Sequence, residues 1–359
     1  MDKKVLVGMS GGVDSSVAAL LLIEQGYQVS GATLKLYANE DIGIDDKTRT
    51  CCSLADVEDA RSVACRLGID HHVFNFSDSF RQEVICRFAD AYVRGDTPNP
   101  CIDCNRYIKF SRMLERARLL GMNCIATGHY AQVEYSEHRG RWLLKKAADP
   151  AKDQTYVLYT LTQDQLAHTL FPLGGLAKAE VRRIAEGAGL VNARKPDSQD
   201  ICFVKDGDYA GFLTRVMGIN SPPGNFIDGQ GNVLGRHNGI IRYTVGQRRG
   251  LNISLGERAF VLRKDISGNT VTLGPDAALY TDRLLASDVN WIAVDSIAGP
   301  TRATVKTRYK QAEVPATLYP LPGGCVQVCF DEKQRAVTSG QAAVFYNGDL
   351  VLGGGTIIG

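Results

Sequence analysis

The sequence lacks several segments and motifs that would place it in common protein classes. No apolar run is long enough to span a membrane, and the short apolar start has no signal-peptide cleavage pattern. Neither Gly-x4-Gly-Lys-Ser/Thr nor Gly-x-Gly-x-x-Gly occurs. The net charge is only +2, so any nucleic-acid surface must be a local patch. We therefore expect a cytoplasmic protein without a membrane partner.

The cysteines argue for reactive or buried thiols rather than structural disulfides. Ten Cys occur among 359 residues, and nothing marks the chain for an oxidising compartment. Only Cys101 and Cys104 form a Cys-x2-Cys pair, whereas a structural zinc site needs two pairs or added histidines. We predict core positions for the cysteines in apolar or periodic stretches, which are Cys65, Cys86, Cys124, Cys325 and Cys329. Cys51 and Cys52 lie in a polar loop, and we assign them no role.

A strand, a glycine turn and a helix are predicted at the start of the chain. The apolar run 5–7 leads into Ser10-Gly11-Gly12, and apolar residues recur at helical spacing from Val13 onward. Glycines let the backbone approach a bulky anion, and open N–H groups at the helix start point at the same place. The pattern predicts a phosphate site and resembles the pyrophosphate loop of enzymes that split ATP into AMP and pyrophosphate. The alternative is a plain glycine turn.

Residues 1–205 alternate strand-like and helix-like segments. We predict strands over 29–36, 71–76 and 123–127, and helices over 56–67, 80–92, 106–120 and 177–188. Such alternation is typical of an α/β domain with a mostly parallel sheet between helices. Ligands of such domains bind beyond the carboxyl ends of the strands, where we expect both the Ser10 loop and a turn at Gly128.

From residue 206 onward the composition is typical of small β domains. Glycines and prolines are frequent and separate short apolar runs. We predict three domains: a catalytic α/β domain over 1–205, a small central β-rich domain over 206–280, and a β-barrel-like domain over 281–359.

Basic residues in the second half predict a nucleic-acid surface. If 301–310 is a strand, its charged residues Arg302, Lys306, Arg308 and Lys310 share one face. A second basic cluster comprises Arg242, Arg248 and Arg249. The alternative is an ordinary solvated strand.

Two cysteine motifs lie outside apolar stretches. Cys104 ends the Cys101–Cys104 pair, which follows a proline-rich break and precedes a predicted helix. The dipole of a helix favours a thiolate at its N-terminus. Cys202 lies in the segment DSQDICF at 197–203, among polar residues. Both thiols are therefore candidates for chemistry.

Together with the phosphate loop, these motifs resemble the tRNA-specific 2-thiouridylases of the MnmA/TrmU family. The matching segments are GMSGGVDSS at 8–16, TPNP at 97–100, CN at 104–105, IKF at 108–110, ATGHY at 126–130, KDQTY at 152–156, DSQDICF at 197–203, VGQRRGL at 245–251 and RY at 308–309. They follow the family's order over nearly the whole chain. The resemblance implies a PP-loop ATP pyrophosphatase domain, similar to the adenine nucleotide alpha hydrolases, followed by two β domains that contact tRNA.

The resemblance also implies roles for individual residues. Cys104 would be the nucleophile, and Cys202 would carry a persulfide. The implied ATP-binding residues are Gly8, Met9, Ser10, Gly11, Gly12, Val13, Asp14, Ser15, Leu34 and Gly128. Asn99, Pro100 and Cys101 would lie against the target base, and the implied tRNA contacts are His129, Lys152, Asp153, Gln154, Arg308, Tyr309 and Gln341. The implied cofactors are ATP and Mg²⁺, and the partners are wobble-uridine tRNAs for Lys, Glu and Gln and a persulfide donor such as a cysteine desulfurase or a sulfur-relay protein.

The implied reaction replaces the C2 oxygen of the anticodon wobble uridine by sulfur. Adenylation by ATP turns that oxygen into a good leaving group and releases pyrophosphate, whose charge Mg²⁺ neutralises. The Cys202 persulfide supplies sulfur, and Cys104 resolves the S–S bond or releases hydrosulfide. The two sulfurs must then approach to roughly 2 Å. The base must leave its stack, as an anticodon loop allows.

Two positions depart from the family pattern. Leu34 stands where Met is frequent, which costs little if the contact is apolar or made by the backbone. Cys101 stands where some members have an Asp that could act as general acid or base. Cys101, Cys104 and Cys202 together could instead hold an iron–sulfur cluster with one iron open to sulfide, which is the alternative to the persulfide route. Two further alternatives are another PP-loop ATP-dependent ligase and a non-catalytic RNA-binding module.

Overall fold

The computed structural model describes residues 3–43, 54–196, 201–204, 207–254, 256 and 258–358. The strands are β1 Lys4–Gly8, β2 Gln28–Lys35, β3 His71–Asn75, β4 Cys124–Ala126, β5 Gln132–Ser136, β6 Arg141–Lys145, β7 Thr169–Leu170, β8 Gly224–Ile227, β9 Val233–His237, β10 Phe260–Asp265, β11 Thr270–Gly274, β12 Tyr280–Trp291, β13 Thr301–Lys306, β14 Val314–Pro320, β15 Val326–Arg335, β16 Ala342–Asn347 and β17 Leu350–Ile357. The α-helices are α1 Val13–Glu24, α2 Leu54–Leu67, α3 Ser77–Phe80, α4 Arg87–Val93, α5 Pro100–Asp103, α6 Met113–Leu119, α7 Gln163–Ala167, α8 Lys178–Gly187 and α9 Tyr209–Arg215. The π-helical segments Arg81–Cys86 and Cys104–Arg112 join α3 to α4 and α5 to α6.

The N-terminal part of the chain is built on a parallel sheet. Its strand order is β3-β2-β1-β4-β7, and every neighbouring pair is parallel. The centre of β1 is fully buried, which explains why Val5, Leu6 and Val7 form a continuous apolar run rather than an alternating one. The predicted α/β class is confirmed.

The remainder of the chain forms two β assemblies, as predicted. One sheet has the order β10-β11-β8-β9. The other runs β12-β15-β14-β13-β16-β17 and closes into a barrel because β12 also pairs with β17. The hairpin β5–β6 joins the barrel sheet through the pairing of Leu350 with Lys145. The barrel is therefore anchored to a hairpin that the N-terminal half of the chain supplies.

The small sheet packs against the N-terminal part through a shared apolar core. Phe80, Phe88 and Phe203 belong to the same buried cluster as Phe226 of β8 and Val271 of β11. Burial of such aromatic side chains is a large source of stability. The predicted boundary at 205 and 206 lies outside the described residues, so the domain limits stay a prediction.

The helix that carries the cysteine pair begins earlier than predicted. A start at 106 is wrong, because the helix begins at Pro100. Asn99 caps it, since its Oδ1 accepts a hydrogen bond from the N–H of Cys101 at 3.1 Å. Proline at the first helical position is also preorganised for this start. Cys101 therefore lies in the first turn and Cys104 in the next.

Two smaller predictions are also wrong. Strand β13 ends at Lys306, so Arg308 and Lys310 do not continue its face. Cys65 is exposed rather than buried, because α2 turns its neighbours Val63 and Ala64 into the core instead. The other cysteines predicted in the core are half-buried: Cys86, Cys124, Cys325 and Cys329.

Among the described residues, no helix combines the length and the apolar character that a bilayer crossing requires.

Candidate active site

The loop between β1 and α1 forms an open helix N-terminus at the carboxyl end of the sheet. Gly12 precedes α1 in an extended conformation, and no side chain caps the helix there. The loop is braced internally, since Ser15 Oγ accepts from the Ser10 N–H at 3.2 Å and donates to the Gly12 carbonyl at 3.1 Å. The first N–H groups of a helix lack intrahelical acceptors and attract anions. The predicted phosphate site therefore has the required local structure.

The loop lies at the point where the strand order of the sheet reverses. The chain proceeds outward from β1 to β2 and β3, and then returns to place β4 on the other side of β1. Such a switch point opens a crevice for ligands. Gly128 follows β4 and approaches α1 closely, since a Cβ there would lie 2.7 Å from the Ser15 nitrogen. Gly11 has a φ of +69°, and a Cβ would lie 2.5 Å from the Asp56 carbonyl oxygen.

Lys178 is a loop neighbour that the sequence analysis missed. Its Nζ lies 2.7 and 2.8 Å from the two carboxylate oxygens of Asp14. The Tyr130 hydroxyl donates to the same carboxylate at 2.8 Å. Asp14 therefore anchors α1 to α8 and to the segment after β4. No local pattern marks Lys178, because its partner lies 164 residues away in the chain.

Two further residues missed by the sequence analysis contact the loop. Lys195 Nζ donates to the Gly11 carbonyl at 3.1 Å and forms ion pairs with Asp56 at 2.6 Å and Asp59 at 2.8 Å. Asn192 donates to the same carbonyl at 3.0 Å. Lys195 directly precedes Pro196 and the DSQD residues 197–200, which lie outside the described residues. Proximity to that motif is the one sequence signal that could have indicated Lys195.

Other predicted nucleotide residues form the apolar floor of the loop. Met9 is 2% exposed, and its backbone donates to the Ala32 carbonyl and accepts from the Thr33 hydroxyl. Val13 is buried in the same core, and the β2 residue Leu34 packs against the neighbouring clusters. Gly8 faces Met113, whose sulfur would lie 3.2 Å from an added Cβ. These residues form the buried apolar layer on which the loop between β1 and α1 packs.

The two candidate catalytic cysteines pack into one apolar cluster. Cys104 is 9% exposed within this cluster, and Cys202 is half-buried against it. The Tyr37 hydroxyl donates to the Cys202 carbonyl at 2.7 Å, which ties the Cys202 segment to the residues after β2. The fold thus places two cysteines that are far apart in the chain on the same extended apolar cluster. The exposed Cys101 lies one turn before Cys104 on the same helix.

A cleft of about 590 Å³ lies along another face of the cysteine helix. The helix contributes Asn99, Asp103 and Arg106 to it, and the barrel contributes Asp288 and Thr356. Burial raises the pKa of Asp103 to about 6, although the nearby guanidinium groups act in the opposite direction. Neither Cys101 nor Cys104 lines this cleft.

The barrel holds the segment that leads into the cysteine helix. The Thr97 N–H donates to the Ser339 carbonyl at 2.9 Å, and Gln341 Nε2 donates to the Thr97 carbonyl at 2.7 Å. Gly340 has a φ of +87°, and a Cβ there would lie 2.9 Å from the Thr97 nitrogen. Gln341 therefore contacts the segment that leads into Asn99 and Pro100, and its amide group is hydrogen-bonded within the protein.

Several predicted tRNA contacts organise the protein itself. His129 is buried between Phe110 and Phe171 and hydrogen-bonds Thr127 at 2.7 Å. Burial holds the pKa of His129 well below its usual value, so the ring is neutral. Asp153 accepts from the Ala147 N–H and the Thr155 hydroxyl.

Gln154 and the barrel residues Arg308 and Tyr309 lie on neighbouring segments. Gln154 Oε1 accepts from the Tyr130 N–H at 2.9 Å, and Lys152 is half-buried on the same loop. Tyr309 is 37% exposed, and burial raises its pKa, as do the nearby charges of Asp153 and Cys101. Arg308 donates to the Ala336 carbonyl at 2.8 Å. Tyr309 is therefore a barrel residue that lies near Cys101, in the first turn of the cysteine helix.

No metal-ligand group is preformed in the part of the chain that the structure describes. Within it, no three His, Cys, Asp or Glu side chains lie close enough to hold an ion. Cys101, Cys104 and Cys202 do not form such a ligand set in this arrangement.

Comparison with known proteins first defines the class. Residues 3–206 match the tRNA methyl transferase HUP domain, 210–275 the tRNA methyl transferase PRC-barrel domain, and 281–357 the aminomethyltransferase beta-barrel domain. The tRNA-specific 2-thiouridylase MnmA of Acetivibrio thermocellus is 52% identical over 355 residues, covering 99% of both chains. That of Clostridioides difficile is 49% identical over 357 residues, covering 99% of this chain and 98% of the relative. The chain belongs to the family of tRNA-specific 2-thiouridylases, MnmA, as its motifs predict.

Similarity to solved structures is weaker. A 4-thiouridine synthetase in complex with RNA and ATP has a TM-score of 0.37 and 19% identity, covering 54% of this chain and 42% of that one. The NMN synthetase from Francisella tularensis has a TM-score of 0.35 and 15% identity, covering 62% of this chain and 79% of that one. These values carry no argument about function.

Proposed function

We propose that this protein is a tRNA-uridine 2-sulfurtransferase that adenylates the C2 oxygen of the wobble uridine and replaces it by sulfur from a Cys202 persulfide. One observation carries the proposal: in a chain of the 2-thiouridylase family, an open phosphate loop at the switch point accompanies Cys104 and Cys202 in one cluster. Another PP-loop ligase would need the loop but not the paired cysteines. An RNA-binding module would need neither.

The phosphate loop binds ATP through backbone N–H groups at the start of α1. Asp14 does not repel the phosphates strongly, because Lys178 neutralises its carboxylate. When bound, Mg²⁺ would neutralise charge on the released pyrophosphate. Three carboxylates beside the loop in the described part of the chain, those of Asp14, Asp56 and Asp59, are all paired with lysines, so they do not offer a preformed magnesium site. The metal would then arrive with the nucleotide.

The sulfur transfer uses the two cysteines in sequence. The terminal sulfur of the Cys202 persulfide attacks C2 of the adenylated uridine, and the C2–O bond breaks as AMP leaves with the electron pair. The Cys104 thiolate then attacks Cys202 Sγ, which forms a Cys104–Cys202 disulfide and leaves the terminal sulfur on C2 as the thiocarbonyl. A cellular thiol reductant must reduce the disulfide before the next turnover. In a variant of this route, Cys104 attacks first and releases hydrosulfide as the nucleophile.

The iron–sulfur alternative fits these residues less well. Three thiolates must converge on one cluster, and the described part of the structure does not group them as metal ligands. We derive no step through a cluster.

The tRNA side of the site would combine all three domains, 1–205, 206–280 and 281–359. Asn99, Pro100 and Cys101 would meet the target base, because they form the start of the cysteine helix, where the Cys101 side chain is exposed. Tyr309 packs against Tyr156 and lies near Cys101 at that start. Lys152, on the loop before Tyr156, would contact the tRNA beside it. The expected substrates are the wobble-uridine tRNAs for Lys, Glu and Gln, and a cysteine desulfurase or sulfur-relay protein would load Cys202.

The test is the mass of 2-thiouridine in tRNA after incubation with ATP and a persulfide donor. We expect wild-type protein and Cys65→Ser, whose exposed thiol lies outside the site, to produce it. Cys202→Ser should produce none and yet bind tRNA normally. Thiolation by Cys202→Ser would refute the role of that residue. Release of pyrophosphate without any thiouridine in wild-type protein would favour another ligase, and tRNA binding without ATP turnover would favour an RNA-binding module.

A further inference from the structure

The two glycine carbonyls of the phosphate loop are held by side chains. Asn192 Nδ2 and Lys195 Nζ both donate to the Gly11 carbonyl, at 3.0 and 3.1 Å. Asn192 Nδ2 also donates to Ser16 Oγ at 2.9 Å, and Ser16 Oγ donates to the Gly12 carbonyl at 3.1 Å. A continuous hydrogen-bond chain therefore runs from the segment after α8 into the loop.

Holding a carbonyl also fixes the N–H of the same peptide. In a planar trans peptide the C=O and N–H point in opposite directions, and the described chain contains no cis peptide. The Gly11 carbonyl shares its peptide with the Gly12 N–H, and the Gly12 carbonyl shares its peptide with the Val13 N–H. Both N–H groups must therefore point away from the side chains that hold the carbonyls. Neither has an acceptor among the described residues, so both are open to a ligand.

The burial of Asn192 argues against a purely structural role. Asn192 is 4% exposed and Ser16 is fully buried. The Asn192 Oδ1 atom has no hydrogen-bond partner among the described residues. A buried amide with an unsatisfied oxygen destabilises a fold, and an apolar side chain of similar size would avoid that penalty. The donors of Asn192 therefore need another explanation.

Lys195 stabilises the position of the loop, and its ammonium group is not available to bind a phosphate. Its ammonium group is already paired with Asp56 and Asp59 on α2. These pairs fix Nζ beside Gly11, where the loop lies against the start of α2. The orientation of the Gly11 peptide thus depends on two residues from one distant segment.

We propose that Asn192, acting with Ser16, is a positioning residue that aims the Gly12 and Val13 N–H groups at the phosphates of ATP. This inference deepens the proposed function and rests on it. Asn192 does not touch the nucleotide. It sets the donor geometry before binding, which lowers the cost of ordering the loop around the ligand.

The test compares the affinities of the full-length protein for ATP and for adenosine by calorimetry. Asn192→Ala and Asn192→Asp remove the two donors, and Ser16→Ala breaks the next link. We expect the Kd for ATP to rise roughly tenfold or more in each variant, because hydrogen bonds to charged phosphates are lost or misaligned. The Kd for adenosine should not change, since adenosine has no phosphate.

The matched control is Asn290→Asp. Asn290, like Asn192, uses its amide group as donor in two hydrogen bonds, here to the carbonyls of Tyr159 and Leu161 at 2.7 and 3.0 Å, but it lies on the barrel strand β12. We expect it to lower the melting temperature without altering either affinity. Melting curves of all variants identify those that fold, and Ser16→Ala decides if both Asn192 variants unfold, because it removes only one hydroxyl.

Two results would overturn the inference. Unchanged ATP affinity in a folded variant would show that the donors do not position the loop. An equal loss of affinity for ATP and adenosine would show general damage to the site. Failure of the wild-type protein to bind ATP would instead overturn the proposed function.

Discussion

Replacing Gly128 by alanine tests whether the close approach of β4 to α1 sets the geometry of the phosphate loop. An added Cβ would lie 2.7 Å from the Ser15 nitrogen, 2.8 Å from the Asp14 carbonyl carbon and 2.9 Å from the Asp14 Cβ. Ordinary van der Waals contact begins near 3.4 Å. The start of α1 must therefore move away from β4 by several tenths of an ångström. The colliding atoms belong largely to the backbone, so no side-chain rotation relieves the contact.

The expected cost follows from the overlap. Overpacking of this kind destabilises a protein by about 1–3 kcal/mol. A Gly-to-Ala change also restricts the unfolded chain, which offsets about 0.4–1 kcal/mol of that cost. The difference spans about 0–2.6 kcal/mol, so we expect a net loss of roughly 1 kcal/mol, or a few degrees in melting temperature. The effect on catalysis should be larger, because a displacement of about 1 Å in a preorganised site can slow a reaction roughly 100-fold.

The assay measures the melting temperature, the Kd for ATP, and pyrophosphate release in the presence of tRNA. Gly187→Ala is the matched control, because Gly187 ends α8 and an added Cβ meets no atom within 4 Å. Alanine should stabilise that helix by about 0.5–1 kcal/mol. Gly128→Ala should lower the melting temperature, weaken ATP binding and slow pyrophosphate release at least tenfold.

The result that would refute this reasoning is a Gly128→Ala protein that matches the wild type in both stability and ATP affinity. Other parts of the structure would then relieve the contact between the added Cβ and α1, and the absence of a side chain at Gly128 would not determine the geometry of the phosphate loop. A lower melting temperature with an unchanged Kd for ATP would show that Gly128 is needed for packing but not for nucleotide binding.

Three further predictions concern the cysteine helix and the barrel. Arg308→Glu should weaken tRNA binding and flatten its dependence on salt, measured by filter binding, and unchanged binding would leave Arg308 as only a support for the Ala336 loop. Asp103 has a raised pKa in the folded protein, so the wild type should lose stability relative to Asp103→Asn as the pH rises from about 4 to about 6. Between pH values below 4 and above 6, the stability difference between the two proteins should change by about 3 kcal/mol in chemical denaturation, and a pH-independent difference would contradict the buried carboxyl. Gln341→Ala removes the donor to the Thr97 carbonyl, so hydrogen exchange over 97–101 should quicken, and unchanged exchange would count against the barrel contact.

Local patterns were sufficient for the elements that carry the site. The apolar run of β1, the Ser10 turn and the helical spacing after Val13 specify a strand, a loop and a helix without distant contacts. The alternation of strands and helices predicts the parallel sheet for the same reason. The dipeptide Asn99-Pro100 is itself a local signal for a helix start, and it marks the observed beginning of the cysteine helix at Pro100.

Other features depend on partners that are remote in sequence. Lys178 reaches Asp14 across 164 residues, and Asn192 reaches Gly11 across 181. The spacing of apolar and polar residues along a helix or strand predicts that element alone. It contains no information about a partner in a distant segment. The same limit explains Arg308, which leaves the predicted strand to support the Ala336 loop.

By itself, the sequence determined the fold class, the phosphate loop, the two cysteine motifs and the family to which they belong, because each is encoded by short-range spacing of residue types. Only the tertiary structure decided that Cys104 and Cys202 share one core, that Asn192 and Lys195 hold the loop, and that the barrel secures the entry to the cysteine helix. The physical reason is that these contacts arise when distant segments pack around common apolar clusters. Packing of that kind depends on how all of the elements fit together at once.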